Sequence, residues 1–228
     1  MKPEAKGGLK MTVAKRHIVL IMMIAVALFC ALVLTQTPSH AATKPTKVYD
    51  QVIKSGDYAY CIAGTGIYKV NVKSGKIKKL VKDPGDYGHY RQMCKKGKYL
   101  YYIKGGTDVR GDLYRVSIKG GKSKHLAGNV NKARCVSKYM IKKDRIYYKE
   151  MNATNGKEKT KKMKLNGKAK KKSKAKVKWS QEESNKSGYY IDVNVYDAPS
   201  GSGYYEMIQY YLETPNGHYY YLGTKGFH

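Results

Sequence analysis

Lysine supplies the most distinctive chemistry of this 228-residue chain. Residues 157–178 hold 12 Lys and a single acid, Glu158. Ammonium groups that dense repel one another and attract anions, so the run reads as an anion-binding segment on an external face. The candidate residues are Lys161, Lys162, Lys164, Lys168, Lys170, Lys171, Lys172, Lys174, Lys176 and Lys178. A solvated loop between folded units is the competing reading of the same run. The formal charge of the whole chain is +29. Solubility does not need that much, and such a field draws nucleic acid, anionic lipid headgroups or anionic cell-wall polymer over a Debye length.

Tyrosine is the second signal. It occurs 23 times, against two Phe and one Trp. Ten of the 23 lie in residues 179–228, which carry a net −4, whereas residues 42–178 carry a net +29. Tyr189, Tyr190, Tyr204, Tyr205 and Tyr219 to Tyr221 suit a carbohydrate-stacking platform; packing in a core is the simpler role for the same rings. The acidic segment is also suited to dock on basic units, within one chain or between copies.

Other residue types offer little for catalysis. His89, His125, His218 and His228 show no metal-ligand spacing. Cys61, Cys94 and Cys135 form no CxxC pair, cannot all pair internally, and read as small buried residues. Gly120-Gly121-Lys122-Ser123 looks like the end of a phosphate-binding loop, but Val116 stands where that loop needs its first glycine. Arg110-Gly111-Asp112 reads as a chance turn. No catalytic residue, metal or cofactor is expected.

Compartment narrows the choice of anion. Lys2, Lys6, Lys10, Lys15 and Arg16 precede an unbroken apolar run, Ile18 to Leu34. Pro38, then Ser39 and Ala41 around His40, followed by Ala42, form a signal-peptidase site. Residues 1–41 therefore read as a signal peptide cleaved between Ala41 and Ala42. An uncleaved single-pass anchor through Ile18 to Leu34 is the alternative. Either way the remaining chain is extracytoplasmic, secreted or surface-associated, and nucleic acid becomes an unlikely partner in vivo.

The elements that must position these residues repeat. Ile67 to Leu80 (IYKVNVKSGKIKKL), Leu113 to Leu126 (LYRVSIKGGKSKHL) and Thr160 to Lys172 (TKKMKLNGKAKKK) each read as strand, two-residue turn, strand. Their turn glycines, Gly75, Gly121 and Gly167, are 46 residues apart, and Gly217 follows after 50. Tyr58-Ala59-Tyr60, Leu100-Tyr101-Tyr102 and Ile146-Tyr147-Tyr148 mark a strand before each hairpin. A lone meander leaves a face and two edges unsatisfied, so such units must stack. The expected fold is all-β: tandem four-stranded meanders in a small, about four-bladed β-propeller, closed or incomplete, after the N-terminal hydrophobic helix. Residues 42–178 form its basic repeats. Residues 179–228 are a Tyr-rich, acidic last blade or a separate small β unit. Val48 to Ile53 is expected to donate a strand to the last blade.

The unit GKYLYYIKGG…DLYRVSIKGGKSKHL, through Leu100, Tyr101, Tyr102, Leu113, Tyr114 and Arg115, resembles the blades of secreted Gram-positive β-propellers of unknown function. Those are similar to the YWTD propellers of low-density-lipoprotein receptors and to TolB-like propellers. The resemblance implies an extracytoplasmic binding or scaffold role and transfers no catalytic residue. Asn216 to Gly226 (NGHYYYLGTKG) resembles one cell-wall-binding repeat of the choline- or glucan-binding type. The expected function is thus non-enzymatic binding of anionic cell-wall polymer, a membrane surface or a protein partner, with homo-oligomerisation open. The alternatives are an enzyme with a loop-built site in the propeller mouth, a membrane-anchored sensor or assembly subunit, and wall-carbohydrate binding through the C-terminal hairpins.

Overall fold

The computed structural model describes residues 51–85, 88–106, 111–174, 177, 179, 187–200 and 203–227. The apolar run Ile18 to Leu34, the pair Ala41 and Ala42, and Lys176 and Lys178 lie outside the described residues.

Alternating apolar and polar residues, punctuated by glycine, become strands throughout. The first sheet holds β1 (Val52–Ser55), β2 (Tyr58–Ala63), β3 (Gly66–Asn71) and β4 (Ile77–Val81). The second holds β5 (His89–Lys96), β6 (Tyr99–Gly105), β7 (Gly111–Ser117) and β8 (Lys124–Ala127). The third holds β9 (Arg134–Lys142), β10 (Arg145–Asn152), β11 (Glu158–Lys164) and β12 (Lys171–Lys172). The fourth holds β13 (Tyr190–Ser200), β14 (Gly203–Glu213) and β15 (Tyr219–Phe227). Each sheet is an antiparallel meander in chain order. The only helix among the described residues is one short 3-10 turn, Val130–Lys132. The protein is all-β, and the three expected hairpins join the last two strands of the first three sheets.

The turns depart from the two-residue form. Gly75, Gly121, Gly167 and Gly217 all have positive φ, as turn glycines must, but Ser74, Asn166 and Asn216 do not. A two-residue type I′ turn needs both. The loops therefore lengthen. Lys164 and Thr214 each accept the N–H three residues on and donate to the carbonyl four residues on, closing three-residue loops at Gly167 and Gly217. Asn71 accepts the Gly75 N–H and donates to the Lys76 carbonyl, closing a four-residue loop. Its side-chain Oδ1 takes up the Lys73 and Ser74 N–H groups inside that loop.

Strand alternation gives each sheet two apolar faces, and these decide how the sheets stack. In β2, Tyr60 and Ile62 pack toward the second sheet, against Tyr90, Met93, Leu100 and Tyr102. In β6, Tyr101 and Ile103 point the other way, into a core with Val136, Tyr139, Ile141, Ile146 and Tyr148 of the third sheet. The opposite face of the first sheet, with Ala59, Cys61 and Val70, is covered by Leu212 and Leu222 of the fourth. The sheets therefore pack in the order third, second, first, fourth. Among the described residues no core joins the third sheet to the fourth.

The fourth sheet is held by polar contacts as well. The Tyr220 hydroxyl donates to the Val72 carbonyl at 2.8 Å, and the Lys225 ammonium to the Gly85 carbonyl at 2.7 Å. The Tyr210 ring lies over Gly64 in the β2–β3 turn; a Cβ there would fall 2.1 Å from the tyrosine oxygen, so any side chain would have to displace the ring. One expectation is corrected: Val52 and Ile53 belong to β1 and pair with Cys61 and Tyr60 in the first sheet, not in the last. A neighbouring partner needs no long connection, so the local hairpin wins.

Candidate anion-binding rim

β4, β8 and β12 are edge strands, and all three are basic. Lys161, Lys162 and Lys164 lie on β11, Lys168 and Lys170 in the connection after Gly167, Lys171 and Lys172 on β12, and Lys174 just beyond. The structure thus brings eight of the ten candidate lysines to one hairpin; Lys176 and Lys178 fall outside the described residues.

Register places like charges opposite each other. Lys161 pairs with Lys172, and Lys162 with Lys171. Directly opposed like charges on neighbouring strands cost roughly 0.2–1 kcal/mol each, a cost that a bridging anion removes. Few carboxylates relieve it from within. Glu150 pairs with Lys161, and Glu158 with Lys149. The Lys149 ammonium holds the Glu158 carboxyl below its ordinary range, with the Ser137 hydroxyl assisting. Lys170, Lys171, Lys172 and Lys174 are exposed.

The rim extends beyond the lysine run. Lys69 opposes Lys78 in the first sheet, and Arg115 opposes Lys124 in the second. In the groove between these sheets, lined by Lys79, Lys82, Lys122 and Ser123, the Lys78 ammonium donates to the Lys119 carbonyl across 2.7 Å. The opposed basic pair recurs from sheet to sheet as a ladder, Lys69–Lys78, Arg115–Lys124 and Lys162–Lys171, with Lys69, Arg115 and Lys162 opposite Tyr60, Tyr101 and Tyr147, while Lys161 lies on the other face, opposite Tyr148. Composition hides this ladder because the first two hairpins are less Lys-dense than the third. Its spacing, close to that of the turn glycines, was the available signal.

The third sheet also presents a basic outer face. Opposed residues share a face, so β9, β10 and β11 line up as Lys142–Arg145–Lys164, Met140–Tyr147–Lys162 and Lys138–Lys149–Thr160. Lys138 lies 5.8 Å from the Trp179 ring centroid. The fourth sheet presents the contrasting outer face. Its rows are Tyr190–Glu213–Tyr219, Asp192–Tyr211–Tyr221 and Asn194–Gln209–Thr224. Tyr190, Tyr219 and Tyr221 are 55%, 55% and 51% exposed. Glu213 accepts from the Tyr219 hydroxyl and, with Asp192, raises its pKa. Of the tyrosines suited to a stacking platform, Tyr189 and Tyr220 instead turn inward onto the first sheet, while Tyr190, Tyr219 and Tyr221 stay outside.

A cleft of 340 Å³ opens between the first two sheets and the fourth, lined by Gln51, Ile62, His89, Tyr90, Arg91, Val193 and Tyr210 among others. Among the described residues its lining holds no carboxylate. Among the described residues no group of three or more His, Cys, Asp or Glu side chains converges on a metal position. Cys61, Cys94 and Cys135 are buried, and burial pushes the Cys94 thiol up to about 12 and the Cys61 thiol up as well, which suppresses thiolate chemistry at both. Among the described residues no helix is long and apolar enough to cross a membrane.

No family model matches this chain, and no curated protein matches it. One solved structure to which it is similar comes from a structural and mechanistic analysis of two prolyl endopeptidases. The likeness has 12% identity and a TM-score of 0.29, over 73% of this chain and 24% of the other. The chain thus spans about a quarter of the length of that structure, and a score so low carries no argument about fold or activity.

Proposed function

We propose that the four sheets are successive blades of an open β-propeller, and that the chain is a non-enzymatic extracytoplasmic binding protein whose basic rim holds an anionic surface polymer. The observation that carries this reading is the opposed basic pair that recurs on the outer hairpin of each of the first three sheets: Lys69–Lys78, Arg115–Lys124 and Lys162–Lys171. A polymer with charge at regular intervals can meet such a ladder in every unit at once. Edge lysines also guard strand edges against pairing with other chains. That role needs one or two per edge and leaves the opposed pairs at Lys161–Lys172 and Lys162–Lys171 without a reason. The tally of meander sheets and their face-to-face cores supports the propeller reading, and the signal-peptide pattern at residues 1–41 supports export.

Co-sedimentation with purified Gram-positive cell wall, with and without its anionic polymers, tests the reading. Binding is expected to fall steeply as salt rises. Replacing Lys170, Lys171, Lys172 and Lys174 by Gln is expected to weaken it about tenfold or more at low salt, at roughly 0.5–1 kcal/mol per lysine. Absence of binding at every salt concentration, or equal binding to polymer-stripped wall, sinks it.

A further inference from the structure

The groove between the first and second sheets is more particular than the basic rim around it. We propose that it is a phosphate site, in which Lys79, Lys82, Lys122 and the Ser123 hydroxyl hold one phosphodiester group. The proposal rests on the polymer reading above, to which it adds the chemical group that is recognised and the place where that group sits.

The groove measures 550 Å³, within the range of about 300–1,000 Å³ usual for ligand sites. Its two sides come from different sheets: β4 with Lys82 on one, the turn at Gly121 on the other. A bulge near the end of β4, between the pairs Ile67–Val81 and Tyr68–Lys79, packs the consecutive residues Leu80 and Val81 against the second sheet and leaves both lining the groove. Two buried tyrosines of the second sheet pin the two sides. The Tyr90 hydroxyl donates to the Lys82 carbonyl at 2.8 Å, and the Tyr102 hydroxyl donates to Ser123 Oγ at 2.7 Å. Their rings meet edge to face, 5.3 Å apart. Because Ser123 Oγ accepts from Tyr102, its own proton points elsewhere, and an acceptor in the groove can meet it. The turn is also drawn onto β4. The Lys78 ammonium holds the Lys119 carbonyl, and a Cβ on Gly120 would lie 3.2 Å from Lys78 Cε.

Charge and donor number favour a phosphodiester. Among the described residues the lining holds three ammonium groups and no carboxylate. Asp83, the next residue after Lys82, is engaged away from them: it accepts the Gly85 N–H at 2.8 Å and lies 3.4 Å from the Lys225 ammonium. Lysine binds phosphate as a point charge that can come from any side. Three such groups and a hydroxyl suit the tetrahedral oxygens of a phosphodiester better than the two coplanar oxygens of a carboxylate. The methylene groups next to the ester oxygens find Leu80 and Val81. The junction between the second and third sheets lacks this set. By strand register His125 stands in the place of Lys79, Gly128 in that of Lys82 and Lys170 in that of Ser123. His125 there meets Asp112 at 3.5 Å. The site is therefore built once, at the first junction, and is not a property of the repeat.

The test is a series of amide NMR spectra of the isotope-labelled full chain in non-ionic detergent. It is titrated with glycerophosphoglycerol and, at equal ionic strength, with acetate, an anion of the same charge. Saturable shifts at Leu80 to Lys82 and Gly121 to Ser123 are expected with the phosphodiester, at an affinity at least about tenfold above that of acetate. Ser123→Ala is expected to weaken phosphodiester binding about tenfold, and Ser123→Thr to restore most of it. Lys122→Gln, at an exposed position, is expected to weaken it about two- to fivefold, which keeps the test decisive if the Ser123 variants fold poorly. Equal affinity for the two anions, shifts only at other residues, or binding indifferent to both Ser123→Ala and Lys122→Gln overturns the proposal. Salt-sensitive binding to whole cell wall would leave the polymer reading standing in that event. The converse result, a phosphodiester held in the groove by a chain that never binds wall, supports the site and overturns the polymer reading.

Discussion

The second and third sheets share a plan and differ in what covers them. Both are four-stranded meanders, offset by 46 residues, with a tyrosine pair in the second strand. Tyr102 and Tyr148, one offset apart, both point toward the preceding sheet and are both 1% exposed. Tyr101 and Tyr147, also one offset apart, diverge: the first is 1% exposed between sheets, while the second lies half-buried among Lys162, Met140 and Lys149. Equivalent backbone positions thus acquire unlike energetics from what covers them: the third sheet lies over Tyr101, and among the described residues no further sheet lies over Tyr147. The pattern in the sequence is a property of the strand; the burial is a property of the stack.

The matching half of the comparison is broken by alkali. Burial pushes the Tyr102 and Tyr148 hydroxyls up to about 12, from an ordinary value of 10.0. A group whose folded pKa is raised stabilises the fold fully below its unfolded pKa and loses that contribution as pH rises toward the folded value. Cooperative unfolding is therefore expected between pH 10 and about 12, with tyrosinate absorbance at 295 nm rising in the same step. Full ionisation at pH 10 in a protein that keeps its near-ultraviolet dichroism would contradict the burial of both rings.

The diverging half is sharpened by truncation. Tyr101→Ala opens a cavity between two sheets and removes the hydroxyl that donates to the Leu165 carbonyl, which is expected to cost about 3–5 kcal/mol. Tyr147→Ala, at the equivalent place in the third sheet, is expected to cost about 1 kcal/mol or less. Urea unfolding of both, under conditions where the chain is monomeric, checks the difference. Equal losses would mean that the outer face of the third sheet is covered as fully as that of the second.

The smallest effect lies in a turn. Gly56, Gly97 and Lys143 open the first hairpin of the first three sheets with φ of 58°, 55° and 54°. Only the third pays the strain of a side chain in that region. Lys143→Gly is expected to raise stability by about 0.5–1 kcal/mol, read as a small shift in the urea midpoint with unchanged slope. A loss of stability would show that Lys143 makes a compensating interaction.

The sequence by itself determined the repeating unit. Gly75, Gly121 and Gly167, together with the alternating strands around them, fix hairpins through local sterics and side-chain period, and both act within a few residues. It also determined where positive charge concentrates, whereas the equivalence of the opposed pairs Lys69–Lys78, Arg115–Lys124 and Lys162–Lys171 follows only from the strand register. What it left open is non-local. Loop lengths were misread by one or two residues, because Ser74, Asn166 and Asn216 take negative φ and Asn71 donates back across its own loop. The destination of Val52 and Ile53, the order third, second, first, fourth, and the choice of which tyrosines are buried were decided only by tertiary structure. A strand with two apolar faces specifies that both are to be covered, and the covering sheet is chosen by shape and packing between segments far apart in the chain: Tyr210 over Gly64, Leu212 against Cys61, and no such partner beyond Lys149 among the described residues.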